Sequence, residues 1–152
     1  MENKNSNVSP LTQLEETLGL YFGKKAPALP TAWKEVIVKF APWLTLFFLI
    51  LSLPALLAVF GIGALLSPFS FLGGANAGVT YLVSMVLLAV SVVLEALAVP
   101  GLFKRSKSGW KFMFYSTLVG LLSNVVSLNL GGIVIGGLIS FYILFQIKSY
   151  YK

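Results

Sequence analysis

The chain contains no cysteine and no histidine. Without cysteine it forms no disulfides and has no thiolate chemistry. Without histidine it lacks the commonest general base and the commonest metal ligand. Charged residues are also scarce, at 11%, whereas 57% of the residues are hydrophobic and the mean hydropathy is +0.89. This composition lies outside the range of soluble domains and indicates an integral membrane protein.

Four apolar runs are long enough to cross a bilayer as helices. They cover residues 42–65, 79–99, 112–128 and 131–147. A single helix over residues 112–147 would far exceed the membrane thickness, so a turn near Asn129 is expected to divide it. Residues 67–78 are predicted to form an uncharged outer loop, with a re-entrant loop as the alternative. The sequence thus predicts an all-α membrane protein, a four-span antiparallel transmembrane helix bundle over residues 41–152.

Residues 1–40 are predicted to form a cytoplasmic segment with amphipathic helices. Residues 1–7 are polar and expected to be disordered. Ser9-Pro10 is a typical helix start, and Leu11, Leu14 and Leu18 follow at helical spacing. We expect this helix to dock on the protein's own surface, with a partner-binding helix as the alternative. Residues 31–40 carry a second apolar stripe and are interpreted as an interfacial helix.

Basic residues mark one side of the membrane. All 11 lie before the first predicted span, between the second and third, or after the fourth, and the outer loops have none. The positive-inside rule therefore places both termini in the cytoplasm. The expected membrane-interface anchors are three tryptophans and three basic residues: Trp33, Trp43, Trp110, Lys104, Arg105 and Lys107.

Glu95 is the only carboxylate inside a predicted span, which makes it a functional candidate by default. One interpretation is a structural ion pair with a basic residue at the membrane edge. The candidates for that partner are Lys39, Arg105 and Lys111. The other interpretation is an ion or proton site, in which Glu95 lines a polar cavity with Asn124 and Tyr115.

Gly132, Gly136 and Ser140 are spaced four residues apart on the fourth predicted span. Small residues at this spacing let helix backbones approach closely in a membrane. The partner helix could belong to the same chain, which we favour, or to a second copy.

No catalytic motif is visible, and no cofactor or metal site is expected. The basic residues border apolar spans, so lipid rather than nucleic acid is the expected partner, together with a second copy of the chain or another membrane protein. The leading hypothesis is a non-enzymatic accessory or scaffold protein. The alternative is an oligomeric small transporter or channel that uses Glu95.

Several short stretches resemble a group of uncharacterised small four-span bacterial membrane proteins, some of which carry a chromate-transporter label. They are the Lys-Ala-Pro-Ala-Leu-Pro linker, Ala41-Pro42-Trp43, Phe103-Lys104-Arg105 with Gly109-Trp110, and the ending from Phe145 to Lys152. The resemblance implies a location in the bacterial inner membrane. Of the glycine- and proline-rich chromate-transporter pattern, only the fragment Phe71-Leu72-Gly73-Gly74-Ala75 is present, so that activity is not carried over.

Overall fold

The computed structural model describes residues 9–152. Of these residues 90% are helical and none lies in a strand, which confirms the all-α prediction. The α-helices are α1 (Pro10–Leu18), α2 (Thr31–Leu57), α3 (Ala64–Ser70), α4 (Ala75–Phe103), α5 (Lys107–Val126) and α6 (Ser140–Ile147). Segments with π-helical bonding cover Gly19–Lys25, Ala58–Gly63 and Gly132–Ile139, and short 3₁₀ turns cover Phe71–Gly73 and Lys148–Tyr150.

Within residues 9–152, three continuous helical runs are long and apolar enough to cross a membrane. They are Thr31–Gly73, with 43 residues, Ala75–Phe103, with 29, and Gly132–Tyr150, with 19. Helix α5 is less apolar because Lys111 and Asn124 fall within it. The chain therefore has membrane-spanning character in three helices, and α5 corresponds to the third of the four predicted spans.

The predicted outer loop over residues 67–78 is wrong. The chain stays helical from Thr31 to Gly73 and turns at Gly74, whose φ of 102° suits a residue without a side chain. Pro68 cannot donate to the carbonyl of Ala64, but the Ser67 hydroxyl donates to that oxygen at 2.8 Å. Because this carbonyl is satisfied locally, the helix continues where a loop was expected.

The basic hinge, residues 104–107 where α4 meets α5, is built on two facing glycines, Gly101 and Gly109. A Cβ atom on Gly109 would overlap the backbone of Gly101, so only glycine permits this approach. Ser106 caps α5 by accepting from the Gly109 N–H at 3.2 Å. The backbone of Lys152 pairs with this hinge: its N–H donates to the Arg105 carbonyl at 2.9 Å, and its carbonyl accepts from Lys107 at 3.1 Å. The hinge and the carboxyl-terminal residues therefore lie together.

The amino-terminal helix docks on α6, as the favoured interpretation expected. Ser9 caps α1, since its side chain accepts from the Thr12 N–H at 3.3 Å. Leu18 and Phe22 pack against the core, and the rings of Phe22 and Phe141 lie 6.2 Å apart. The expectation of disorder for residues 1–7 lies outside the described residues. Helix α2 crosses the expected boundary between residues 40 and 41 without a break.

The side-chain core gathers at one end of the molecule. We call this end, which includes residues 9–30, the hinge at 104–107 and residues 148–152, the basic end. The buried hydrophobic residues there are Val38, Ala98, Val99, Leu102, Trp110, Phe114, Phe141, Leu144, Phe145, Ile147 and Tyr151. The opposite end, which contains the turns at Gly74 and at residues 127–131, is the distal end. There Leu65, Leu72 and Leu128 are 79%, 83% and 82% exposed.

Candidate functional site

Glu95 is paired with a hydroxyl group on the neighbouring helix. The Ser116 Oγ atom of α5 lies 3.1 Å from Glu95 Oε1, to which it donates, and 3.4 Å from the carbonyl oxygen of Ser91. Within residues 9–152 Glu95 forms no ion pair, so the predicted basic partner is wrong. Ser116 lies about 7.5 Å beyond Lys111 along α5. The partner of Glu95 is therefore a buried hydroxyl and not a basic side chain.

The three residues of the hypothetical polar cavity are not brought together. The Asn124 side chain donates to the Gly120 carbonyl of its own helix at 2.9 Å. The Tyr115 ring packs against Phe114, with ring centroids 5.7 Å apart. Neither of the two cavities described for this chain is lined by Glu95, Asn124 or Tyr115.

Of the predicted small-residue positions Gly132, Gly136 and Ser140, only Gly132 lies tightly against α5 of the same chain. A Cβ atom on Gly132 would overlap the Asn124 amide, and one on Gly137 would lie 2.8 Å from the Leu121 side chain. Gly136 is exposed, and Ser140 begins α6. The close contacts are thus five residues apart, because this segment is π-helical with i→i+5 bonding. Sequence reasoning missed Gly137 because it assumed α-helical spacing, although the Gly136-Gly137 pair was visible.

The predicted interface anchors differ in their surroundings. Trp33 and Trp43 are exposed, as are Lys104, Arg105 and Lys107. Trp110 instead lies in the core, 2% exposed, and its indole N–H donates to the Leu144 carbonyl at 2.8 Å. Its ring stacks on Phe114 with centroids 5.5 Å apart. Trp110 therefore joins α5 to α6 and does not present its ring to the headgroup region.

A cleft of about 1040 Å³ opens at the basic end, between the amino-terminal segment and the end of α6. We call it the basic cleft. Six lysines line it: Lys24, Lys34, Lys107, Lys111, Lys148 and Lys152. Its acidic residues are Glu15 and Glu16, and Glu15 is paired with Lys148 at 2.7 Å. Their positions in the sequence predicted one side of the membrane for all six, an interface anchor for Lys107 and a candidate Glu95 partner for Lys111, but not their convergence.

Aromatic residues and one buried phenol complete the basic cleft. The Lys148 Nζ atom lies 4.7 Å from the ring centroid of Trp110 and 5.6 Å from that of Phe145. Tyr151 also lines the cleft, and its buried hydroxyl has no hydrogen-bond partner among the described residues. Burial raises the pKa of Tyr151, while the Arg105 charge lowers it by less, so the phenol stays protonated at neutral pH.

Gln146 fixes the wall of the basic cleft. Its Nε2 atom donates to the Phe22 carbonyl at 2.9 Å, and its Oε1 atom accepts from the Leu29 N–H at 3.2 Å. One buried amide therefore holds both ends of the segment that joins α1 to α2.

Within residues 9–152 no group of three His, Cys, Asp or Glu residues is placed to hold a metal ion. Comparison of the chain with protein-family models, with curated proteins and with solved structures gave no match. The functional proposals therefore depend on the geometry described above.

Proposed function

We propose that this chain is a small non-enzymatic membrane protein of accessory or scaffold type, with four spans and both termini in the cytoplasm. Its support is the grouping of contacts at the basic end, where the hinge pairs with Lys152 and Glu15 pairs with Lys148. Helix α5 leaves this end and the helical run Gly132–Tyr150 returns to it. An even number of crossings fits that arrangement and the positions of the basic residues.

The long first helix also fits this placement. Its 43 residues extend roughly 65 Å at about 1.5 Å per residue, about twice the hydrocarbon thickness of a bilayer. Its first turns carry Lys34 and Lys39, which favours an amino-terminal part that lies outside the hydrocarbon. Pro42 and Trp43 would then mark the entry into the membrane.

The observation that carries the accessory role is the hydrogen bond between Ser116 and Glu95. In this bond Glu95, for which an ion site was the alternative interpretation, instead joins α4 to α5. Polar side chains commonly join helices in this way inside membranes. The Asn124 side chain likewise donates within the chain, to the Gly120 carbonyl of its own helix.

A second candidate function is an oligomeric transporter or channel that uses Glu95. It is favoured by one observation: no basic residue within residues 9–152 neutralises this half-buried carboxylate. A path for an ion would then need walls from at least one further copy, since neither cavity described here includes Glu95.

Ion flux into liposomes distinguishes the two functions. We expect the purified chain to give no more proton or potassium flux than protein-free liposomes. Flux that is lost in Glu95→Gln, with an unchanged melting temperature and normal flux in the matched control Glu16→Gln, would overturn the accessory role and support transport.

Cysteine labelling tests the topology, and the absence of native cysteine makes it clean. Leu72→Cys at the distal end and Lys104→Cys at the hinge replace exposed residues. A membrane-impermeant maleimide applied to intact cells should label the first variant and spare the second. The reverse pattern, or labelling of both, would contradict four spans with cytoplasmic termini.

A further inference from the structure

We propose that the basic cleft binds the phosphate group of an anionic phospholipid headgroup. This goes beyond the accessory role, but it rests on the proposed placement of the basic end at the cytoplasmic leaflet. Basic pockets beside membrane helices on that side are a known way to bind anionic headgroups.

The charge of the cleft is the first support. Counting side chains, six lysines face two glutamates, and only Lys148 has a carboxylate within ion-pair distance among the described residues. Five lysines thus line one cavity with no carboxylate within ion-pair distance among the described residues. Lysine is a common phosphate ligand, and an anion would relieve this repulsion.

The origin of the lysines is the second support. The positive-inside rule requires basic residues on this side of the membrane, but it does not require them to converge. Here they come from four segments: the amino-terminal region, the first turn of α2, the start of α5 and the carboxyl-terminal end. Lys107 and Lys111 also lie at the amino-terminal end of α5, where the helix dipole disfavours cations. A bound anion would offset that cost.

The uncharged groups of the cleft suit a lipid better than a free phosphate ion. Tyr151 brings a buried hydroxyl that has no partner within residues 9–152, and a phosphate oxygen can accept from it. Leu20, which is 48% exposed, offers an apolar surface for glycerol and the first acyl carbons, while Trp110 and Phe145, which also line the cleft, are almost fully buried. The volume of about 1040 Å³ far exceeds what an inorganic phosphate ion needs.

Native mass spectrometry of the full chain in a neutral detergent provides the test. Phosphatidylglycerol, phosphatidylcholine with the same acyl chains, and glycerol 1-phosphate are the three probes. We expect one phosphatidylglycerol per chain, bound at least tenfold more tightly than either other probe. The double variant Lys107→Gln/Lys111→Gln should weaken its binding roughly 25-fold, about fivefold for each lysine. The matched control Lys39→Gln/Lys104→Gln removes two exposed charges outside the cleft and should change binding less than twofold.

Tyr151→Phe separates binding from folding. It removes a hydroxyl for which the described part of the chain holds no partner, so the melting temperature should be unchanged or higher while phosphatidylglycerol binds several-fold more weakly. Equal loss in the two double variants would overturn the cleft as the site. Tight binding of phosphatidylcholine or of glycerol 1-phosphate would overturn the headgroup assignment. Because detergent binding does not depend on orientation, a failed topology would appear only in the cysteine labelling.

Discussion

The two ends of this molecule are stabilised in different ways. At the basic end, aromatic and aliphatic side chains from α2, α4, α5 and α6 close a core in which Phe114 is fully buried. At the distal end the helices turn sharply, and large apolar side chains such as Leu72 and Leu128 remain more than 80% exposed.

This difference fits a chain of which one part is surrounded by lipid and another part by water. Lipid can cover the apolar side chains that stay exposed along the helices as well as protein can, so their exposure carries no penalty in a bilayer. In the proposed topology the helices leave the hydrocarbon at the basic end, so packed side chains there replace lipid in shielding apolar surface from water. We therefore expect the basic end to determine the stability of the inserted protein, and paired substitutions at the two ends test that expectation.

The largest effect is expected for Phe114→Ala. Its ring contacts Trp110, Phe141 and Phe145 and has no exposed surface. Truncation of such a residue typically costs about 3–5 kcal/mol through lost contacts and a cavity. Thermal unfolding of the protein in detergent micelles measures the loss.

Phe69→Ala is the matched control at the distal end. Phe69 is 63% exposed on α3, so its removal should leave the melting temperature nearly unchanged. Comparable losses of melting temperature for Phe69→Ala and Phe114→Ala would mean that the distal end has a protein core of its own. That result would contradict the proposed difference between the two ends.

Gly109→Ala should cost about 3 kcal/mol, at the upper end for overpacking. The added methyl group would overlap the Gly101 backbone at the hinge, so α4 and α5 would have to separate. In the same helix a Cβ on Gly120 would meet nothing within 4 Å. Gly120→Ala should therefore be neutral or slightly stabilising, since alanine favours helix. Equal unfolding temperatures for the two variants would contradict the close approach.

Gln146→Leu should release the amino-terminal segment without unfolding the bundle. Leucine keeps the volume but leaves the Phe22 carbonyl and the Leu29 N–H without their partner, at a cost of about 2 kcal/mol. Hydrogen exchange should accelerate over residues 19–30 and stay slow in α4 and α5. Tyr142→Phe, which removes one exposed hydrogen bond to the Pro27 carbonyl, should produce a much smaller change. Uniform acceleration along the whole chain would show that this segment does not open independently.

Much of the architecture followed from the hydropathy and charge pattern. The start of α1 at Ser9 and the turn near Asn129 could be predicted because capping and helix length are local properties. The roles of Trp110 and Gly137 could not, because they depend on which helix faces which. Likewise, the lysines of the basic cleft are distant in sequence, and only the packing of the amino-terminal segment on α6 brings them together.

The smallest effect is expected for Ser116→Ala, which removes a single hydrogen bond between α4 and α5. A neutral hydrogen bond between membrane helices contributes about 0.6 kcal/mol on average, and we expect a similar coupling between Ser116 and Glu95 in a double-mutant cycle with Glu95→Ala, which removes the acceptor. A coupling near zero would mean that the contact does not persist in the folded protein. A coupling of about 1.5–3 kcal/mol would instead indicate an ionised carboxylate, because hydrogen bonds to charged groups are stronger. The transport alternative would then gain support, since a charge retained inside the membrane without a basic partner is the feature that an ion site requires.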